Sequence, residues 1–240
     1  MFNECCSNKL SVDSGVPQGS VLGPLLFLIF INDIVQDISV KIKLYADDCV
    51  IYSEIDSIED QLLLNSAFQK VAAWCDAWQM CINYDKTVFM RITNKKLPLK
   101  FNYFVNNTFL SEVTHYKYLG LWISNNLTWT QHIDSVRANA IRKLFFLKRA
   151  LKLATPPVRL LAYKSIVQPT LDYAAIIWDP FTMTNINKID SVQKKAARFI
   201  YNSFGRTSVT ELLARANLPP LTQRNCHSRL KFLFQLITRH

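Results

Sequence analysis

Two adjacent carboxylates, Asp47 and Asp48, follow a segment in which Val40, Ile42, Leu44 and Ala46 alternate with Lys41, Lys43, Tyr45 and Asp47. A period of two is the signature of a half-buried strand. Cys49-Val50-Ile51-Tyr52 comes directly after, so strand, acidic turn and strand predict a hairpin with the carboxylates at its tip. Two such charges about 4 Å apart repel by about 4 kcal/mol at an effective dielectric of about 20. A divalent cation reverses that sign, and Mg²⁺ takes one or two carboxylates together with phosphate oxygens. Taken alone, an Asp-Asp pair is equally the solvated tip of an ordinary hairpin. A second polar cluster, Gly15-Val16-Pro17-Gln18-Gly19-Ser20, precedes an apolar segment. Glycines there let backbone approach a base or sugar, Gln18 offers an amide, and Ser20 is a candidate N-cap for a helix from Val21 to about Ile34. Pro24 falls near its first turn, where a missing N–H costs least.

The elements that must position these groups can be read onward along the chain. Ile58, Leu62, Ala67, Phe68, Val71 and Trp74 or Cys75 give an amphipathic helix within residues 57–80. Thr87 to Ile92 reads as a strand and Phe101 to Phe109 as a hairpin edge. Beyond a polar cluster at Ser124-Asn125-Asn126 the pattern turns helical. Helices are expected from His132 to about Leu153, from Val158 to Ile177 with a break at Pro169, and from Ile186 to Tyr201. A short helix from Ser208 to Ala216 carries a capping-box pattern with Glu211, and a last one starts near Leu221.

Charge divides the chain in the same place. Residues 135–240 hold 18 of the 28 lysines and arginines but only four acids, a net of +14 against −4 for residues 1–134. Such asymmetry points to a polyanionic partner for the second half. Arg137, Arg142, Lys143, Lys148, Arg149 and Lys152 fall on one predicted helix whose apolar positions recur at steps of three and four. That is the pattern of a helix with core on one side and phosphate contacts on the other; a solvated basic face has the same pattern. The tryptophans and phenylalanines of this half could stack bases, but lying among aliphatics they read first as core.

Taken in order, Ser14-Gly15-Val16-Pro17-Gln18-Gly19-Ser20-Val21-Leu22-Gly23-Pro24, Ile31-Asn32-Asp33-Ile34, Tyr45-Ala46-Asp47-Asp48, Ile82-Asn83-Tyr84-Asp85-Lys86-Thr87 and Tyr116-Lys117-Tyr118-Leu119-Gly120-Leu121 resemble a reverse transcriptase of the non-LTR, LINE-type and jockey-like group. Pro169-Thr170-Leu171-Asp172-Tyr173 favours that group over group II intron proteins. The resemblance implies template-directed DNA synthesis, in which a primer 3′-hydroxyl attacks the α-phosphate of a deoxynucleoside triphosphate at a two-ion Mg²⁺ site. It assigns Asp47 and Asp48 to the metal and Lys86 to the triphosphate. Gly15, Pro17, Gln18, Gly19, Tyr45 and Ala46 would line the nucleotide and template pocket, with Tyr118, Leu119 and Gly120 as primer grip. Implied partners are an RNA template, a DNA primer, their RNA/DNA hybrid and deoxynucleoside triphosphates.

The implied fold is α+β: a truncated palm over residues 1–124, an antiparallel sheet with backing helices, followed by an all-α, basic thumb-like region over 125–240. The family's other metal-binding Asp lies on an earlier strand, and the thirteen residues before Ser14 hold no such motif. They read as one short strand, and Asp13 abuts the turn. The chain is therefore expected to be the C-terminal part of a polymerase, inactive by itself; a remnant that binds RNA or hybrid through its basic helices without catalysis is the alternative.

Other classes fit less well. Half the residues are hydrophobic, which argues against a disordered tail. The longest strongly apolar run, Leu25 to Ile31, is too short to cross a bilayer, and no signal peptide is visible, so an intracellular protein, nuclear or cytoplasmic, is expected. The six cysteines form no CxxC pair and read as reduced thiols.

Overall fold

The computed structural model describes residue 15 and residues 19–205 and 207–238. The chain gathers into two compact units, residues 1–89 with 95–112 and residues 90–94 with 113–240. Both helix and sheet are present; all but one of the strand pairs are antiparallel.

In the first unit, helix α1 (Gly23–Ile31) runs into a 3₁₀ turn (Asn32–Val35). The helix starts later than the apolar run predicts. Ser20 does not cap it as an N-cap residue, a position taken by Leu22; its hydroxyl accepts the N–H of Gly23, the first helical residue, at 3.0 Å. Strands β1 (Lys41–Tyr45) and β2 (Asp48–Tyr52) form the predicted hairpin. Helix α2 (Ile58–Ala77) begins at a reciprocal cap in which Ser57 accepts the Asp60 N–H and the Asp60 carboxylate accepts the Ser57 N–H. Ile31, Ile34, Val71 and Cys75 form the core, and Phe27, Ile42, Leu44, Ile51 and Trp74 pack against it. Phe30 meets Trp74 and Trp78 edge-on, at 5.8 and 5.4 Å between ring centroids. Leu25, Leu26, Leu28 and Ile29 of α1 stay exposed.

The rest of the sheet is fragmentary. The strand expected over Thr87 to Ile92 shrinks to β3 (Val88–Phe89). The hairpin edge becomes β4 (Phe104–Val105) and β5 (Thr108–Phe109) around Asn106 and Asn107, both at positive φ. Paired positive φ values suit the right-handed twist of a tight hairpin, and asparagine tolerates them best after glycine. Strand β6 (Ser111–Glu112) pairs with β3 in parallel.

The second unit opens with the hairpin β7 (His115–Tyr118) and β8 (Leu121–Ser124), then α3 (Thr130–Ala150). Helix α4 (Pro156–Ala162) passes through a π-turn (Tyr163–Val167) into α5 (Gln168–Asp172). The break expected at Pro169 thus takes the form of a widened turn just before it. The Gln168 N–H reaches back five residues to the Tyr163 carbonyl, which makes room for a residue that has no N–H to give. A short α6 (Ala175–Trp178) follows Ala174 at φ 51°. Helices α7 (Met183–Tyr201), α8 (Val209–Arg215) and α9 (Leu221–Thr238) complete the unit. The capping box predicted for Ser208 does not form, since no side-chain bond closes the start of α8. Ile133, Val136, Ala140, Leu144 and Leu147 of α3 interlock with Tyr163, Val167, Leu171, Trp178, Val192 and Ile200 in one core.

Acids are few in this unit and most are engaged. Asp172 pairs with Arg224, Asp179 with Arg229 at 2.7 Å, and Asp134 with Lys188 at 2.6 Å. Asn225 adds a 2.6 Å bond to Asp179, so three polar contacts fasten α9 to α5 and the segment after α6.

Candidate active site

The first unit places Asp47 and Asp48 where the alternation predicts, at the exposed end of a hairpin. Its register corrects the turn by one residue. Tyr45 is opposite Asp48, so Ala46 and Asp47 form the two-residue loop and Asp48 is already the first residue of β2. Ala46 sits at φ 50°, a conformation that L residues other than asparagine rarely adopt. Ile42 and Leu44, facing the core, hold β1 in place and leave Tyr45 64% exposed beside the carboxylates.

The donor set defines what this tip can hold. Among the described residues no group of three or more His, Cys, Asp or Glu gathers as a metal site. Two exposed carboxylates supply hard oxygen ligands and nothing else, which fits Mg²⁺, an ion that keeps several waters and takes remaining ligands from phosphates. Asp47 and Asp48 are the residues that would hold it.

Gly15 and Gly19 adopt φ 86° and 84°, with open space where a Cβ would stand. Both are exposed. Pro17 and Gln18, and the short strand predicted before Ser14, lie outside the described residues. Lys86 is exposed in a turn organised by Asn83, whose backbone and side-chain oxygens both accept the Lys86 N–H at 3.1 Å. Thr87 Oγ1 donates to the same Asn83 carbonyl at 2.8 Å. No ion pair among the described residues joins Lys86 to Asp47 or Asp48.

In the second unit, Tyr118 and Leu121 pair across a loop of Leu119 (φ 45°) and Gly120 (φ 83°). Two positive φ values in a two-residue loop make the turn that matches strand twist. Tyr173 Oη donates to the Leu119 carbonyl at 2.8 Å. Trp122 N–H donates to Nδ1 of His132 at 3.3 Å, tying the hairpin to α3. Burial, with Lys117 adding to it, holds the His132 imidazole below its ordinary range.

The cations predicted on α3 do not share one face. Arg142, Lys148 and Arg149 line a single cleft with Lys152 and Arg159, about 750 Å³ in volume. Lys143 does not line that cleft, and its ammonium donates to Thr170 Oγ1 at 2.7 Å. Arg137 is half-buried. Sequence reasoning missed Arg159, which is 7% exposed and gives all its bonds to carbonyls: Leu151 at 3.2 Å, Phe199 at 3.1 Å and Lys152 at 2.8 Å. It closes the C-terminal ends of both α3 and α7, whose last carbonyls have no helical partner. Nothing local in Pro156-Pro157-Val158-Arg159 signals this, because the Phe199 acceptor is forty residues away. The half-exposed Phe145 and Phe204, read as core from their apolar character, also lie in the cleft.

Comparison with known proteins agrees with this arrangement of motifs. Residues 1–123 match the family model described as reverse transcriptase (RNA-dependent DNA polymerase). The chain is similar to the RNA-directed DNA polymerase from the mobile element jockey of Drosophila funebris, 32% identical over 82% of this chain and 23% of that protein. It is similar also to the probable RNA-directed DNA polymerases of transposon X-element and transposon BS of Drosophila melanogaster. These are 28% and 29% identical, over 83% and 78% of this chain and 23% and 22% of theirs. The chain thus spans less than a quarter of the length of these relatives. No solved structure matches it. With the family model covering more than half its residues and jockey-type relatives extending the likeness past them, the chain belongs to the reverse transcriptase family, in its LINE-type branch.

Proposed function

We propose that this chain provides the carboxylate hairpin and the nucleic-acid-binding helical part of an RNA-directed DNA polymerase that extends a DNA primer on an RNA template. Residues 1–124 then correspond to part of the palm with its primer-grip hairpin, and residues 125–240 to the basic thumb region. The observation that carries the reading is the Tyr45–Asp48 pairing, which leaves Asp47 and Asp48 together at an exposed tip while Ile42 and Leu44 anchor it.

In this reading Asp47 and Asp48 hold Mg²⁺, which when bound supplies charge neutralisation at the phosphates of the incoming deoxynucleoside triphosphate. Tyr45 and Ala46 flank the nucleotide, with Gly15, Pro17, Gln18 and Gly19 lining the same pocket. Lys86, which makes no ion pair among the described residues, is available to the triphosphate. The loop Leu119-Gly120 presents backbone to the primer, with Tyr118 beside it. Arg142, Lys148 and Arg149 reach phosphates of the bound nucleic acid, together with Arg137 and Lys143. Support for this second role is that among the described residues Arg142, Lys143, Lys148 and Arg149 make no ion pair, while Asp134, Asp172 and Asp179 are paired with other cations.

The test is a chimera in which residues 1–240 replace the matching segment of the Drosophila funebris jockey polymerase. It is expected to extend a DNA primer on an RNA template in Mg²⁺ when the intact jockey protein does. A folded chimera that never extends a primer would contradict the proposal.

A further inference from the structure

We propose that the cleft between the C-terminal ends of α3 and α7 binds unpaired nucleotides, a base stacking on Phe145 or Phe204 while Arg142, Lys148, Arg149 and Lys152 hold the phosphates. This rests on reading the second unit as a nucleic-acid binder and names what one part of it takes.

The cleft is built, and its floor is rigid. Arg159 joins the two helix ends by three hydrogen bonds to backbone, and its guanidinium stacks 5.6 Å from the ring of buried Phe199. With three of its five N–H donors on carbonyls, Arg159 contributes positive charge to the lining of the cleft. The volume of about 750 Å³ falls in the range of about 300–1,000 Å³ typical of sites for organic ligands.

Its electrostatics select an anion. Among the described residues no carboxylate lines the cleft. Among the described residues Arg142, Lys148, Arg149 and Lys152 make no ion pair, although three acids of the same unit are paired elsewhere. Four unpaired cations within one cleft repel one another, and bound phosphates relieve that repulsion.

The rings select an unpaired base. Phe145 is 55% exposed and Phe204 is 55% exposed, each without a polar atom to satisfy in water. Lys148 Nζ lies 4.5 Å from the Phe204 ring centroid, so a cation and a stacking face share one place. Bases inside a duplex are already covered by their neighbours and present only edges and phosphates. An unpaired base has a free face, and aromatic stacking against it is tolerant of sequence. Phosphate tracking alone would use the lysines and arginines and leave both rings idle.

The test is fluorescence anisotropy of the 240-residue chain with an oligouridine of about 12 nucleotides, within the site sizes of single-strand binders, and with a blunt RNA duplex of equal length. Phe145→Leu with Phe204→Leu keeps the charge and the apolar volume but removes both stacking faces. It is expected to weaken single-strand binding by about tenfold and change duplex binding by less than about twofold. Lys148→Gln with Arg149→Gln is expected to weaken both and to lower the salt dependence by about two phosphate contacts. Unchanged thermal melting certifies that each variant is folded. Single-strand affinity that survives loss of both rings, or a wild-type preference for duplex, would overturn the cleft assignment while leaving nucleic-acid binding intact. A folded chain that binds neither probe would overturn the nucleic-acid reading itself.

Discussion

Tyr173 donates its hydroxyl hydrogen to the Leu119 carbonyl at 2.8 Å, and its ring lies against Gly120, with Cε1 3.4 Å from where a Cβ would stand. Two segments fifty-four residues apart, Tyr118-Leu119-Gly120 and Leu171-Asp172-Tyr173, are therefore one piece of structure. Leu119 at φ 45° is unusual for its type, and the bond from Tyr173 holds its carbonyl in the orientation that this backbone requires.

Gly120→Ala is expected to destabilise the second unit by about 1–2 kcal/mol, since alanine resists φ 83° and its methyl meets the Tyr173 ring. Tyr173→Phe keeps the ring, which is largely exposed, and loses one hydrogen bond, so it should cost no more than about 1 kcal/mol. Urea unfolding of both variants measures this. A neutral Gly120→Ala would show that the turn does not need its glycine.

Arg159 should be among the most sensitive positions in the chain. Arg159→Met takes one donor each from the carbonyls of Leu151, Lys152 and Phe199, of which Leu151 and Phe199 still accept the N–H of Ala154 and Asn202, and a loss of about 2–3 kcal/mol is expected. Arg159→Lys has one ammonium for three acceptors and should restore only part of it. Equal stability of the lysine variant and the native chain, read by denaturant midpoint, would contradict this role.

His132 gives stability a pH dependence. Its Nδ1 accepts the Trp122 backbone N–H, and its ring meets Trp178 edge-on at 5.2 Å, surroundings that disfavour the imidazolium. Burial, then Lys117, lowers its folded pKa. The unfolded chain binds the proton more readily below about pH 6.5, so this contribution to stability is present above that pH and is lost as pH falls through the window beneath it. Melting temperatures between about pH 5 and 7.5 should show a steeper acid loss for the native chain than for His132→Asn, which keeps an acceptor but cannot be protonated. Parallel curves would remove His132 from the account.

Much of this architecture could be read from residue order, and the misses have local physical causes. Alternation at Ile42 and Leu44 announces the carboxylate hairpin, and of the stripe Ile133, Val136, Ala140, Ile141, Leu144, Leu147 and Leu151 all are buried but Ile141 and Leu151, which are partly so. The hairpin turn slipped by one because Ala46 takes a positive φ that its side chain gives no reason to expect. The parallel β3–β6 pair joins residues too few to carry a periodicity. Phe145 was assigned to the core because hydrophobicity cannot distinguish a packed ring from one held at a cleft. Arg159 was invisible because its acceptors are main-chain atoms brought in by tertiary structure. Of the candidate site, residue types were legible and relative placement was not: nothing in the sequence separates Lys143, bonded to Thr170, from Arg142 and Lys148 in the cleft.

The most direct test of the central claim is Asp47→Asn in the jockey chimera, assayed for extension of a DNA primer on an RNA template in Mg²⁺. Asparagine keeps the shape of the loop and removes one metal-binding charge. Extension is expected to fall by at least about 10²-fold, the scale on which a ligand that acts in the transition state is felt, with binding of the hybrid unchanged. Extension at the chimera's own rate by the Asp47→Asn variant would contradict the assignment of the hairpin as the catalytic centre.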